Sequence, residues 1–245
     1  NEAKEIFLSK DYEDPAIRGR NSFKPLEKMG LSFIKDGKIY ISGLSEYLLK
    51  EDYDLGEFFF RSFLKWQYPN PFSRDFQEND GYNIKPFIGT LHLINEVNKI
   101  CIAKDMTVKG ISKLEFQIFA LSLINYTSIR QRATNLIEFR IQYEKLSEYS
   151  KKKEFALNYS EKYLSEFQNA SFNNLKDYAD NAIRYFRMTR YLYIRGGGFY
   201  IDLEPRRESE INKLLETDNA SANIFSAPEY LNFFSESFIS FTIDL

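Results

Sequence analysis

The sequence predicts a mostly helical α+β fold made of tandem winged-helix and helix-turn-helix subdomains with small β-hairpin wings. Three observations predict it. A basic, helix-periodic stretch at residues 15–29 runs into two β-rich runs around Asp36-Gly37. A second such stretch from Asn174 to Arg187 runs into two β-rich runs around Gly196-Gly197-Gly198. Between them, apolar residues recur at helical spacing in three further segments.

In the first segment Ile17, Phe23, Leu26 and Met29 share near-helical spacing. Pro25 is expected to break or start that helix, and Gly30 to end it in a left-handed conformation. Residues 31–41 then form a hairpin, because Asp-Gly suits a tight turn between strands. Helices over Leu44–Leu49 and Leu55–Trp66 are expected to close this unit. Residues 69–83, with Pro69, Pro71 and Gly81, read as a loop. Helical periodicity resumes over Ile84–Ala103 and Leu114–Ile124, where Ser112 is placed to cap and Glu115 to complete a capping box. After Asn125–Ser128, a long charged helix is expected over Ile129–Tyr149, giving a helix-turn-helix pattern. In the third segment Leu175, Ala179, Ala182, Ile183 and Phe186 fall on one helical face, and Asp177, Asn181, Arg184 and Arg187 on the other. A hairpin over Tyr191–Leu203 and a closing helix over Ser209–Leu215 follow. The expected divisions are 1–68, a winged-helix-like subdomain; 69–168, a connector and helix-turn-helix-like subdomain; 169–216, a second winged-helix-like subdomain; and 217–245, a tail or the start of a linker to a cleavage domain.

Composition narrows the class. With 245 residues and 43% hydrophobic content, the chain can bury a substantial core. Apolar runs such as Phe58–Phe60 and Ile118–Leu121 are too short to cross a bilayer. One Cys and one His exclude an internal disulfide and argue against a dedicated zinc site, so a reducing cytoplasm fits best. The polar start, Asn1 to Glu5, lacks Met and resembles neither a signal peptide nor a natural beginning, which predicts a trimmed fragment. His92, between Leu91 and Leu93, is expected to be a satisfied core or surface histidine with no chemistry.

A net charge of −2 speaks against non-specific coating of nucleic acid. The distribution says more. Arg18, Arg20, Lys24 and Lys28 against the one acid Glu27 leave +3 over residues 18–28, and Arg184, Arg187, Arg190 and Arg195 give +4 with no acid between them. Ordinary solvated faces carry such runs too. Their position just before the two predicted wings is what singles them out. Arg18, Arg20, Asn21 and Lys24 sit where a recognition helix would meet the major groove, where Arg can grip guanine and Asn adenine with paired hydrogen bonds. Phosphate contact or plain solvation is the alternative. Asn181, Arg184 and Arg187 stand in the same relation to the second wing, and Arg195 at its edge suits phosphate or the minor groove. Arg130, Gln131 and Arg132 open a helix that either touches phosphate or packs on a neighbouring subdomain. Lys65 and Gln67 are further candidates. Trp66 and Pro69 beside them argue for packing, which leaves Gln67 open between a buried hydrogen bond and a base contact.

Three stretches carry a family resemblance: Phe60-Arg61-Ser62-Phe63-Leu64-Lys65-Trp66-Gln67-Tyr68-Pro69; Gly110-Ile111-Ser112-Lys113-Leu114-Glu115 running on to Glu138-Phe139-Arg140; and Ala179 to Arg187. Over roughly residues 15–215 the chain resembles the AlwI family of type IIS restriction endonucleases, which includes nicking relatives. The resemblance implies an N-terminal region that recognises a short asymmetric sequence in double-stranded DNA, and a separate C-terminal domain that cuts outside it. Such cutting requires carboxylates that hold a divalent metal, Mg2+, to activate water. The one Glu-x-Lys here, Glu2-Ala3-Lys4, has no acid ahead of it and no strand pattern around it. No cofactor is therefore expected in this chain, and Mg2+ is assigned to a cleavage domain outside it. The rival reading is a winged-helix transcription regulator. Such regulators are usually symmetric dimers on palindromes, whereas three non-identical units in one chain suit an asymmetric site read by a monomer. A metabolic enzyme is weaker still, since no Gly-rich phosphate loop or nucleophile elbow is present.

Overall fold

The computed structural model describes Glu5, Leu8, Ser9 and residues 14–50, 53–73, 75–164 and 172–235. Glu2-Ala3-Lys4 lies outside the described residues. The described helices are α1 (Pro15–Lys28), α2 (Gly43–Leu49), α3 (Leu55–Lys65), α4 (Pro86–Ala103) and α5 (Lys113–Glu115). They continue with α6 (Ile129–Lys145), α7 (Tyr149–Leu164), α8 (Phe172–Met188), α9 (Glu208–Thr217) and α10 (Ala227–Ser235). The strands are β1 (Ser32–Lys35), β2 (Lys38–Ile41), β3 (Ile111–Ser112), β4 (Leu192–Arg195) and β5 (Tyr200–Leu203). The described residues are thus mostly helical, with two small antiparallel sheets among them.

Contacts divide the chain into two units, one from residues 1–53, 70–73 and 225–245 and the other from 54–69 and 74–224. This differs from the linear division expected at 68/69, 168/169 and 216/217. Residues 54–68 fold with the larger unit. The middle and third segments share one sheet, and α10 is part of the smaller unit. Apolar faces bury against whichever surface fits them in space, and sequence proximity does not govern that choice.

In the smaller unit, Asp14 caps α1 by accepting the Ile17 N–H at 2.9 Å, with Pro15 at the first helical position. Pro25 does not break or start the helix. It lies in the last turn, and α1 runs through it to Lys28. Gly30 ends it at φ +65°, with the Gly30 N–H on Glu27 O and the Leu31 N–H on Leu26 O. Asp36 and Gly37, at φ 51° and 70°, make the tight turn between β1 and β2, whose register pairs Phe33 with Tyr40 and Ile34 with Ile39. Tyr230 and Phe234 of α10 are fully buried. The Tyr230 hydroxyl accepts from Asn70 Nδ2 at 3.0 Å and donates to Lys28 O at 3.4 Å, tying residues 70–73 and α1 to α10.

The larger unit is centred on α4. Phe87, Ile88, Leu91, Leu93, Ile94, Val97 and Cys101 are all completely buried, while Lys99, Ile102 and Ala103 near its end are exposed, so α4 is an interior helix over its first turns and reaches the surface at its C-terminal end. Aromatic pairs seat the surrounding helices: Phe60 of α3 stacks on Tyr191 at 4.0 Å, and Phe63 meets Phe186 of α8 edge-on at 5.1 Å. The helix expected over Ile129–Tyr149 stops at Lys145, and extended backbone at Leu146 leads into α7. That break lets Phe155 and Tyr159 pack on Phe139 at 5.4 and 5.1 Å.

β4 and β5 form the second hairpin, with Arg195 paired to Tyr200 across the Gly196–Gly198 turn. β3 adds to β5, giving the order β3-β5-β4. Two residues carry no period-2 signal, so this strand is not legible in sequence. Gly110, at φ +67°, is required beside it, because a Cβ there would lie 2.2 Å from Ile201 O. The predicted capping box is present: Ser112 Oγ accepts the Glu115 N–H at 3.1 Å, and the Ser112 N–H donates to Glu115 Oε2 at 2.6 Å. Arg140 completes the arrangement. Its Nε and a terminal nitrogen donate to the two Glu115 oxygens at 2.7 and 2.8 Å, and it also donates to Gly110 O at 2.6 Å. Burial works against the Arg140 charge, but the Glu115 hydrogen bonds and charge outweigh it and hold the guanidinium more firmly protonated.

Candidate nucleic-acid interface

α8 has the largest contrast between its faces. Leu175, Ala179, Ile183 and Phe186 are buried, while Asp177, Tyr178, Asn181, Arg184, Tyr185 and Arg187 are exposed. The 3.6-residue period aligns Tyr178, Asn181 and Tyr185 in one row with Arg184 beside it. Among the described residues, Arg184 and Arg187 have no ion-pair partner. This surface presents guanidinium forks, an amide able to donate and accept, and two aromatic rings, the side-chain types that meet base edges and phosphates. Tyr178 and Tyr185 were missed by the sequence reading. Their signal was available, since aromatics seven apart fall on a polar helical face; Tyr185 also packs on Phe59 of α3 at 5.9 Å, which leaves Tyr178 as the ring more open to a ligand.

The other two arginines of this basic run are engaged. Arg190 forms a two-pronged ion pair with Asp54, at 2.9 and 3.0 Å, which joins the end of α8 to the cap of α3. Arg195 donates to Asp202 at 2.9 Å and stays 41% exposed at the sheet edge. Asp202 also accepts from Asn98 Nδ2 at 2.8 Å and from the Leu203 N–H at 2.9 Å. The hydrogen bond to Asp202 leads in holding the Arg195 guanidinium above its ordinary range.

In the smaller unit, Arg18, Asn21 and Lys24 are exposed on α1 at a spacing of three, and Lys24 pairs with Glu27 at 2.5 Å. The side chain of Arg20 lies outside the described residues.

Two predicted site residues are displaced by the structure. Gln67 is completely buried. Its Nε2 donates to Pro69 O at 3.2 Å and to Asn223 O, and its Oε1 accepts the Asn223 N–H at 3.0 Å. All its polar capacity is spent on holding residue 223 against residues 67–69, so the base-contact alternative is corrected. Lys65, beside it, is half-buried at the end of α3. Arg132 is 5% exposed, lies over the Tyr163 ring at 4.1 Å and donates to Ser122 Oγ and O at 3.1 Å each. A phosphate could reach it only by breaking that packing. Its neighbours Arg130 and Gln131 are exposed, and Gln131 donates to Asn135 at 2.8 Å. His92 meets Asp218 O at 2.6 Å through Nε2, a structural contact as expected.

Among the described residues, no three His, Cys, Asp or Glu side chains converge in a way that could hold a metal, and no helix is long and apolar enough to cross a membrane.

The fold has a solved counterpart in an endonuclease binding domain. The chain is similar to the BpuJ1 endonuclease binding domain, crystallised in complex with pyrene- and phenanthrene-modified DNA, at 14% identity and a TM-score of 0.56, over 96% of this chain and 81% of that one. At that identity the likeness is one of fold. The family model for AlwI restriction endonuclease matches residues 27–238, and the chain belongs to that family. Comparison with curated proteins finds no match.

Proposed function

We propose that this chain is the DNA-recognition region of a type IIS restriction endonuclease. It reads a short asymmetric duplex sequence as a monomer in the reducing cytoplasm, and a separate Mg2+-dependent nuclease domain cuts outside that sequence. The observation that carries the reading is the exposed row of Asn181, Arg184 and Arg187 on the helix that leads directly into the β4–β5 hairpin. The succession of helix and hairpin, with the strand order β3-β5-β4, supports a winged-helix reading, in which such a helix would enter the major groove and the hairpin lie along the backbone. The order α1, β1, β2, α2 offers a second, smaller version with Arg18, Asn21 and Lys24 on its helix. Membership of a restriction endonuclease family favours this reading over a transcription regulator, and the BpuJ1 binding domain, itself crystallised with DNA, supports duplex DNA as the partner.

Mg2+ would supply the activation of water in the nuclease domain. The residues described here do not form a site for it, and no step is assigned to them. Selection of bound duplexes from a random pool tests the reading, and one asymmetric sequence should be enriched. Plasmid incubated with the chain and Mg2+ should stay intact, and metal-dependent cutting lost in Glu2→Ala would overturn the division of labour.

A further inference from the structure

The larger unit carries a cleft of about 500 Å³ between the end of α8, strand β4 and the turn that follows β5. Leu192, Tyr193 and Ile194 line it together with Glu204 and the two arginines Arg187 and Arg206. We propose that this cleft clamps the sugar-phosphate backbone of one DNA strand, with Arg187 and Arg206 as its two arms. The proposal rests on the DNA-recognition reading above and adds a residue, Arg206, that the sequence did not single out.

The adjacent arginines of the Pro205-Arg206-Arg207 turn have different fates. Arg207 is engaged within the fold: it donates to Glu210 Oε2 at 2.6 Å and lies over the Tyr191 ring at 4.9 Å, while the Tyr191 hydroxyl donates to the same Glu210 oxygen at 2.8 Å. Arg206 instead has a side chain 90% exposed, and its one described contact is Nε on Glu204 Oε1 at 2.9 Å. That contact uses one edge of the guanidinium, and the fork of terminal nitrogens is left for a ligand. Glu204 also accepts the Arg206 N–H at 3.2 Å and is only 14% exposed, so its carboxylate orients the arginine. Arg206 holds the Glu204 carboxyl below its ordinary range. A long side chain already held along its stem loses less freedom on binding.

The chemistry of the walls selects the ligand. Two guanidinium groups against one carboxylate leave the cleft a net cation, which calls for an anion. Guanidinium forks match phosphate oxygens in pairs. The half-buried Tyr193 and Ile194 in the lining offer no dense set of donors for a base edge, but they suit the apolar face of a deoxyribose. An anion alternating with an apolar sugar is the repeat of a nucleic-acid strand.

The test uses the full chain with a labelled duplex of the selected sequence and one of random sequence, in a salt series. Arg206→Ala should weaken both duplexes by the same factor, about three- to tenfold, and lower the slope of log affinity against log salt by about one. Arg206→Lys should retain most of the affinity, because a charge remains. Phosphate-ethylation interference should lose one or two adjacent positions in Arg206→Ala, with an unchanged melting temperature as the control for folding. If wild type binds no duplex, the recognition reading falls, and this clamp with it. If wild type binds while Arg206→Ala and Arg187→Ala both keep its affinity, salt slope and ethylation pattern, the clamp alone is overturned. A loss confined to the selected duplex would also overturn it, since Arg206 would then read a base.

Discussion

Arg184 and Gln67 stand at opposite ends of what a polar side chain can do in this fold. Arg184 is exposed on α8 without an ion-pair partner among the described residues, so its donors are available to a base. Arg184→Ala should relax discrimination at one base position by roughly 1–3 kcal/mol and leave random-duplex binding nearly unchanged, as affinities for single-base variants of the selected site would show. Gln67 has no exposed surface, and its truncation would orphan the Asn223 N–H and C=O and the Pro69 C=O. Gln67→Ala should cost about 1–3 kcal/mol in urea unfolding, with the folded fraction keeping its base preferences. Asp54 adds a dependence on pH. Its carboxylate is held below the ordinary value of 3.8 by the Glu57 N–H and then by Arg190, so its contribution is complete above that value and fades as pH falls through the lower folded one. Asp54→Asn should flatten the acid limb of the stability profile.

At the scale of elements, local chemistry explains which parts were legible in the sequence. Asp36-Gly37, the Gly196–Gly198 run, Gly30 as a helix end and the Ser112/Glu115 capping box each write their backbone geometry into residue type, and each appears as expected. β3 was not legible because its partner lies ninety residues away in sequence and it is only two residues long. Arg132 and Gln67 stayed open between packing and DNA contact for a related reason: a polar residue on a helix or after it does not declare its burial until a partner is known. The turn around Arg206 has no periodicity to mark it at all. The Gly110-to-Glu115 motif and Arg140 prove to be one device, a buried ion pair that locks β3, α5 and α6 together. Arg140→Met should destabilise the fold by about 3–5 kcal/mol, because it strands the Glu115 carboxylate in a dry site. Pairing it with Glu115→Leu should recover part of that loss, and a double-mutant cycle by chemical denaturation would read the difference. Two singly destabilised proteins with no coupling would remove Arg140 from this role.

Across the whole molecule, the discontinuous smaller unit is what sequence order concealed. Its core includes Leu31, Tyr230 and Phe234, residues some two hundred positions apart, and the segment expected to be a tail carries two completely buried aromatics. Phe234→Ala should therefore cost about 3–5 kcal/mol in the unfolding of that unit, as expected for a buried Phe in contact with Gly30 and Tyr230 and not for a linker residue. The central claim, that this chain reads one asymmetric duplex sequence without cutting it, is tested most directly by selecting bound duplexes from a random pool and then incubating the winners with the chain and Mg2+. The expected result is enrichment of a single non-palindromic motif, bound by one protein copy, with both strands intact. Enrichment of a palindrome bound by two copies, no enrichment at all, or metal-dependent cleavage would contradict it.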